Sequence, residues 1–193
     1  MNRDTYVPSP LSDAQVSAAS TADGRADDAV DGPWTLVFVR HIDHQPAHVW
    51  AALTEPDQLR EWAPFNADRD LASPGPATLT MVDGETEVPL DATVLRADAP
   101  TLLEYLWGED LLRWELTPTD PGTRLTLHHT TAQRSGVPMM AAGWHLCLDV
   151  MAHLLDGEPI GAIRGAEALE FGWQRLHEAY AERLGMSAPP RQG

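Results

Sequence analysis

The sequence predicts an α+β fold of the helix-grip kind: a curved antiparallel sheet wrapped around a long C-terminal helix, with two short helices after the first strand. Three observations carry this expectation. An apolar, β-branched run, WTLVFVRHI (34–42), precedes two short helical stretches. A succession of strand-like segments joined by turn-rich links fills residues 67–132. A long helical segment with a broad apolar face, GWHLCLDVMAHLLDG (143–157), follows them.

Each element has a local reason. Pro46 suits the first turn of a helix whose stripe is Val49, Trp50 and Leu53. Thr54 is the expected cap of a second short helix, with Pro56 and Asp57 in its first turn, Leu59 and Trp62 inside it and Pro64 closing it. The strand segments are 67–72, 77–83, 87–99, 101–108, 110–119 and 123–132. The links SPGP, VDGE, DAP and DPGT favour an antiparallel meander. Gly108-Glu109 fits a two-residue type II′ turn, which wants glycine first. That register sets Glu104 opposite Arg113, Leu103 opposite Trp114 and Tyr105 opposite Leu112, so the charges share one face and the large apolar groups face inward. Pro138 opens the long helix, which runs to Asp156 before Gly157. A last helix over 166–184 carries Leu169, Trp173, Leu176, Tyr180 and Leu184 on one stripe, with Gly185 at its end.

Composition sets the limits. The 193 residues suggest one domain, and a hydrophobic fraction of 43% supplies a substantial core. Residues 1–32, rich in Ala, Ser, Asp and Gly, are expected to be a disordered acidic tail. Residues 33–185 then form the domain and 186–193 a flexible tail. The net charge is −16 and every basic residue is Arg. Such a chain repels phosphate backbones and anionic bilayers, so neither nucleic acid nor membrane is an expected partner. Cys147 is the single cysteine, which rules out an intrachain disulfide. With no apolar leader in MNRDTYVPSPL and no run near the ~18 apolar residues that span a bilayer, a cytoplasmic protein is expected.

On the long helix, Trp144, Leu148, Met151 and Leu155 form one stripe, widened by Leu146, Cys147, Val150 and Leu154. His145, Asp149, His153 and Asp156 gather on the remaining arc, which is expected to face water rather than hold a metal. Cys147 and His145, two apart, do not face each other, so Cys147 reads as a small buried group rather than a nucleophile. Because more than half of the circumference is apolar, two covers are needed. The sheet supplies one, and the 169–184 helix or a partner subunit supplies the other, which leaves a homodimer through the C-terminal helices open. His128 and His129 point to opposite faces of their strand. His129, on the side of Leu125 and Leu127, is the inward one.

HVWAALTEPDQLREW (48–62) resembles the early signature of the START-like SRPBCC superfamily. More narrowly it resembles the Aha-type branch, named for the activator of a heat-shock-protein ATPase. LEYLWGEDLLRWELTP and GTRLTLHHT (103–130) are similar to that branch's central strands, AAGWHLCLDVMAHLLDG (141–157) to its terminal helix, and WQRLHEAYAERLG (173–185) to the tail helix of bacterial members. The resemblance spans about 34–185. It implies the helix-grip fold, a link to stress response and one of several tasks: binding a hydrophobic ligand, carrying a lipid, cyclising or dehydrating a polyketide, or docking a chaperone.

Strand parity and family position together select a ligand cavity lined by Trp62, Met81, Tyr105, Trp107, Leu112, Trp114, Leu127, Trp144, Leu148 and Met151. The expected activity is binding of a small hydrophobic or aromatic molecule rather than catalysis, with no cofactor and no metal. One alternative is a cyclase, dehydratase or hydrolase using His129 or Tyr105 to move a proton. The other is a co-chaperone-like interaction domain.

Overall fold

The computed structural model describes residues 3–18 and 33–186. Eight strands, β1 (Asp13–Ala18), β2 (Trp34–Ile42), β3 (Phe65–Ala67), β4 (Gly75–Asp83), β5 (Thr86–Asp98), β6 (Leu102–Trp107), β7 (Asp110–Pro118) and β8 (Thr123–Thr131), form one antiparallel sheet in the order β1-β2-β8-β7-β6-β5-β4-β3. Between β2 and β3 lie α1 (Pro46–Thr54) and α2 (Pro56–Trp62); after β8 come α3 (Val137–Leu155) and α4 (Trp173–Arg183). The sheet is curved and unclosed, and the long helix α3 lies in it: this is the helix-grip fold. No helix among the described residues is long and apolar enough to cross a membrane.

The β6–β7 hairpin has the register that its charges and aromatics dictate, with Leu103 facing Trp114, Glu104 facing Arg113 and Tyr105 facing Leu112. Gly108 takes φ of 59° and no described residue other than glycine has a positive φ, as a turn with glycine first requires. Leu103, Tyr105, Leu112 and Trp114 are all buried, while Arg113 reaches Glu104 and Glu115 on the other face. His129 is buried and His128 half-buried, in keeping with strand parity.

Three local expectations are corrected. Strand pairing stops at Ala67 instead of running through 67–72. The Arg69 guanidinium donates to the carbonyls of Asp70, Ser73, Gly75 and Pro76 and holds that stretch as a loop. Thr54 does not cap α2; its hydroxyl turns back to the Trp50 carbonyl at 3.0 Å, and Glu55 occupies the cap. The 166–184 helix is divided. A 3-10 turn at Gly165–Leu169 ends before Gly172, whose φ of 84° starts α4 afresh, and Leu169 is left 57% exposed.

The larger correction concerns the amino terminus. Within the segment expected to be a disordered tail, residues 3–18 are ordered: a 3-10 turn at Arg3–Thr5 leads to the edge strand β1, paired with β2 from Asp13–Val39 to Ala18–Trp34. The rest of that segment, 1–2 and 19–32, lies outside the described residues, as does 187–193 at the other end. Arg3 donates to the carbonyls of Ile160, Gly161 and Ala162 and pairs with Glu167 at 2.6 Å, so residues 3–12 strap the long helix from outside.

Beneath this strap lies the amino-terminal half of the polar arc of α3, and it is not wet, whereas His153 further along is half-buried and Asp156 is exposed. His145 and Asp149 are 0% and 5% exposed. The Asp149 carboxylate accepts hydrogen bonds from the Tyr6 hydroxyl at 2.8 Å, the Ser9 N–H at 2.9 Å and the Ser9 hydroxyl at 2.7 Å, and pairs with Arg40 at 2.8 Å. His145 meets the Tyr180 hydroxyl through Nδ1 at 2.8 Å and stands 3.4 Å from Asp149 through Nε2. Steps of four on a helix bring such groups together whether the face is solvated or, as here, closed by other elements. The cover that α3 requires beyond the sheet is supplied by α4, through Leu176 and Tyr180, and by the strap.

Three outcomes are expected from this architecture. Burial alone would raise the Asp149 carboxyl, but the hydrogen bond and charge of His145, the charge of Arg40 and the Ser9 N–H outweigh it and hold the group well below its ordinary value of 3.8. Its folded value is therefore depressed, so its stabilisation is complete above the ordinary value and is lost as pH falls beneath it. Denaturant unfolding from about pH 6 to about pH 3 is expected to show a shallower loss of stability in Asp149→Asn than in the parent chain. At neutral pH Asp149→Ala, which strands the Arg40 guanidinium, is expected to cost about 3–5 kcal/mol. Gly122 has φ of 91°, and a Cβ there would stand 2.2 Å from the Ile42 carbonyl oxygen. Since backbone cannot yield as a side chain can, Gly122→Ala is expected to cost roughly 2–4 kcal/mol by the same measurement.

Candidate functional site

One small cavity lies where the sheet meets α3. Its volume is about 130 Å³, and Pro64, Trp107, His129, Met140, Gly143, Trp144 and Cys147 line it. Four of these, Met140, Gly143, Trp144 and Cys147, follow the i, i+3, i+4, i+7 spacing that puts side chains on one face of a helix. Trp107 closes β6, His129 comes from β8 and Pro64 from the short link after α2. Trp107, Met140, Gly143 and Pro64 are half-buried, so the cavity approaches the surface on their side.

Gly143 is the residue that makes the room. It sits inside α3, where glycine costs roughly 0.5–1 kcal/mol relative to alanine. A Cβ built on it meets no atom within 4 Å. The space is therefore unfilled for want of a side chain, and no crowding neighbour demands the glycine.

The walls are aromatic and their polar atoms are committed. The Trp144 indole N–H donates to His129 Nδ1 at 2.9 Å, and His129 Nε2 lies 2.8 Å from Asp110 Oδ2. A ring nitrogen that accepts carries no proton, so the imidazole is the neutral tautomer with its hydrogen on Nε2, given to Asp110. The centroids of Trp107, His129 and Trp144 form a nearly equilateral triangle with sides of 6.1–6.2 Å. Trp114 meets Trp144 edge-on at 5.2 Å and Trp62 edge-on at 6.3 Å, which carries the cluster into the core. Burial pushes the Cys147 thiol up to about 12, so at neutral pH it is an inert apolar wall. The Trp107 indole N–H is buried with no hydrogen-bond partner among the described residues.

Of the residues expected around a ligand, Trp107 and Trp144 line this cavity, and so does His129, the proton-transfer candidate. Trp62, Tyr105, Leu112, Trp114, Leu127, Leu148 and Met151 are buried in the core behind it. Met81, half-buried, pairs with Phe65 on the far side of the sheet order. The Tyr105 hydroxyl accepts from the Trp114 indole at 3.2 Å, and burial pushes it above its ordinary value. Pro64, Met140, Gly143 and Cys147 were not anticipated. A glycine within an otherwise good helical run was the available signal, since such a glycine needs a packing reason.

Two other features lie outside the grip. An open groove of about 770 Å³ runs past Val7, Pro8, Phe171 and Arg175 on the strap's outer side. It is the larger depression, but it is of mixed polarity and built by the strap and residues 170–178 rather than by the sheet and α3. Ser9, His145 and Asp149 have the composition of a nucleophilic triad but not its geometry. Ser9 and Asp149 both approach Nε2 of the ring, and Tyr180 holds Nδ1, so no base is oriented behind the serine. Among the described residues, no group of three or more His, Cys, Asp or Glu side chains is placed to hold a metal ion.

Several solved structures share this architecture. CalU16 from Micromonospora echinospora superposes with a TM-score of 0.64 at 19% identity, covering 89% of this chain and 96% of its own. A protein from Mesorhizobium loti does so at 0.56 and 26% identity, covering 64% of this chain and 97% of its own. An AHSA1-like protein from Aeromonas hydrophila follows at 0.55 and 20% identity, covering 64% and 92%. No curated protein matches the chain. Residues 43–156, from the loop before α1 through the end of α3, match the family described as Activator of Hsp90 ATPase homolog 1-like protein, and the chain belongs to that family.

Proposed function

We infer that the protein binds a small, mostly apolar molecule in the cavity between sheet and helix. The observation that carries this reading is the cavity itself: about 130 Å³ left open beneath a helix glycine, with walls of Trp, His, Met, Pro and Cys. Apolar cavities near 150 Å³ take up benzene-sized molecules, and this volume sets the same scale for the buried part of a ligand. Membership of the Activator of Hsp90 ATPase homolog 1-like family supports a ligand-binding domain in general.

Binding is favoured over catalysis because the two proton-transfer candidates are occupied. Both ring nitrogens of His129 are engaged, and Tyr105 does not reach the cavity. A proton-transfer group needs a free position toward the substrate. Among the described residues, the exposed large apolar side chains, Val7, Val88, Leu95, Leu106, Met139 and Leu169, are spread over five parts of the fold, which supports the cavity over a chaperone-docking patch.

Gly143 gives the test. Gly143→Ala is expected to raise stability by about 0.5–1 kcal/mol, because the helix gains propensity and the Cβ meets nothing. Gly143→Leu, which fills the cavity, is expected to leave the thermal midpoint within a few degrees of the parent and to abolish binding of toluene, followed by tryptophan fluorescence and by NMR shifts of the indole N–H groups. A parent chain whose indole signals do not respond to toluene or a panel of similar monocyclic compounds would sink the reading.

A further inference from the structure

We propose that the cavity is built for a methylated ammonium group, so that its natural ligand is a small molecule bearing a quaternary or trimethyl-ammonium head. This rests on the binding reading above and adds the sign of the ligand's charge to it.

Four observations converge. First, Trp107, His129 and Trp144 all line the cavity, with centroids 6.1–6.2 Å apart and planes inclined at 42°, 61° and 71°. A point over a triangle of that size can lie within about 6 Å of all three centroids at once, and a cation there is drawn to each ring whose face it meets. Second, His129 is held as a neutral ring, because Trp144 donates to its Nδ1. An imidazolium in this position would repel a cation, and the hydrogen bond that excludes it comes from another wall of the same cavity. Third, the Asp110 carboxylate stands behind that ring, 2.8 Å from Nε2, and adds a negative charge on the cavity's far side. Fourth, the walls leave almost nothing with which to hydrogen-bond a ligand's donors. Ordinary ammonium or guanidinium would lose its water without replacement, whereas a methylated ammonium presents only methyl groups to its surroundings. The Arg164 guanidinium, whose charge is felt at Cys147, donates to the carbonyls of Arg60, Ala63 and Phe65 and is held outside the cavity. A net charge of −16 raises the local concentration of any cation near the surface.

Choline and 3,3-dimethylbutan-1-ol are an isosteric pair that differ in charge alone, and both are titrated into the full chain by calorimetry and NMR. Choline is expected to bind at least about tenfold more tightly, at the lower end of what a desolvated cation–π site provides. Trp107→Leu, at a half-buried position, is expected to bring the ratio to one or below while leaving the thermal midpoint near that of the parent. Equal or tighter binding of the neutral isostere overturns the proposal and leaves the apolar-cavity reading standing. If choline, its isostere and toluene all fail to bind, that reading falls as well. Choline binding that survives Gly143→Leu would place the cation elsewhere on the acidic surface and would also overturn the proposal.

Discussion

Asp149 and Arg40, 2.8 Å apart and nearly closed to solvent, impose a condition on everything around them. A buried ion pair is best tolerated when most of its remaining hydrogen-bonding capacity is met, and here the Arg40 Nε–H is left without a partner among the described residues. Asp149 sits on α3 and Arg40 on β2, so the pair fixes how the helix lies against the sheet. Its unmet capacity calls in two further elements. Tyr6 and Ser9 come from the strap, while Tyr180 on α4 reaches the same cluster through His145 and the Ser12 N–H. The strap is therefore part of the chemistry of the helix face, and removal of Asp149 would loosen three elements together.

This explains which parts of the fold were legible in the sequence. The β6–β7 register followed from pairwise charge and apolar matching across a two-residue turn, all of it information local to about twenty residues. The inward turn of His129 followed from strand parity. The strap was not legible, because residues 3–18 hold few large apolar groups and judged alone cannot offset their ordering entropy. Residues 13–18 are ordered by pairing with β2, and residues 3–12 by partners mostly more than a hundred residues away, such as the 160–162 carbonyls for Arg3 and Asp149 for Ser9. The same long-range dependence misled the helical projection of α3. A polar arc of His145 and Asp149 is the arrangement that water would favour, and equally the one that a buried network needs.

For the candidate site, parity and family position selected both cavity-lining indoles, and parity the inward imidazole as a proton-transfer candidate, but the same selection drew in seven core residues and Met81. An aromatic side chain facing inward serves a core and a pocket alike. What separates them is the absence of an atom, which composition does not report. Gly143 carries that information: a residue with poor helix propensity, placed on the inward stripe of a helix otherwise rich in large apolar groups.

The family's matched stretch, 43–156, ends with α3 and begins after β2, so the strap, β1, β2 and α4 all lie outside it. Two faces of α3 thus depend on different parts of the chain. The face of Trp144 and Gly143 looks onto β6, β7 and β8, all within the matched stretch, and holds the cavity. The face of His145 and Asp149 looks onto the elements outside that stretch and has its polar groups paired among them. Closing that second face removes water from one side of the helix and anchors it to β2, while the first face is left with a void that the surrounding side chains do not fill. A helix held this firmly from behind can keep an unfilled space in front of it without collapsing into it. The void can then serve as a preformed site, and a ligand entering it need not supply the free energy to open it.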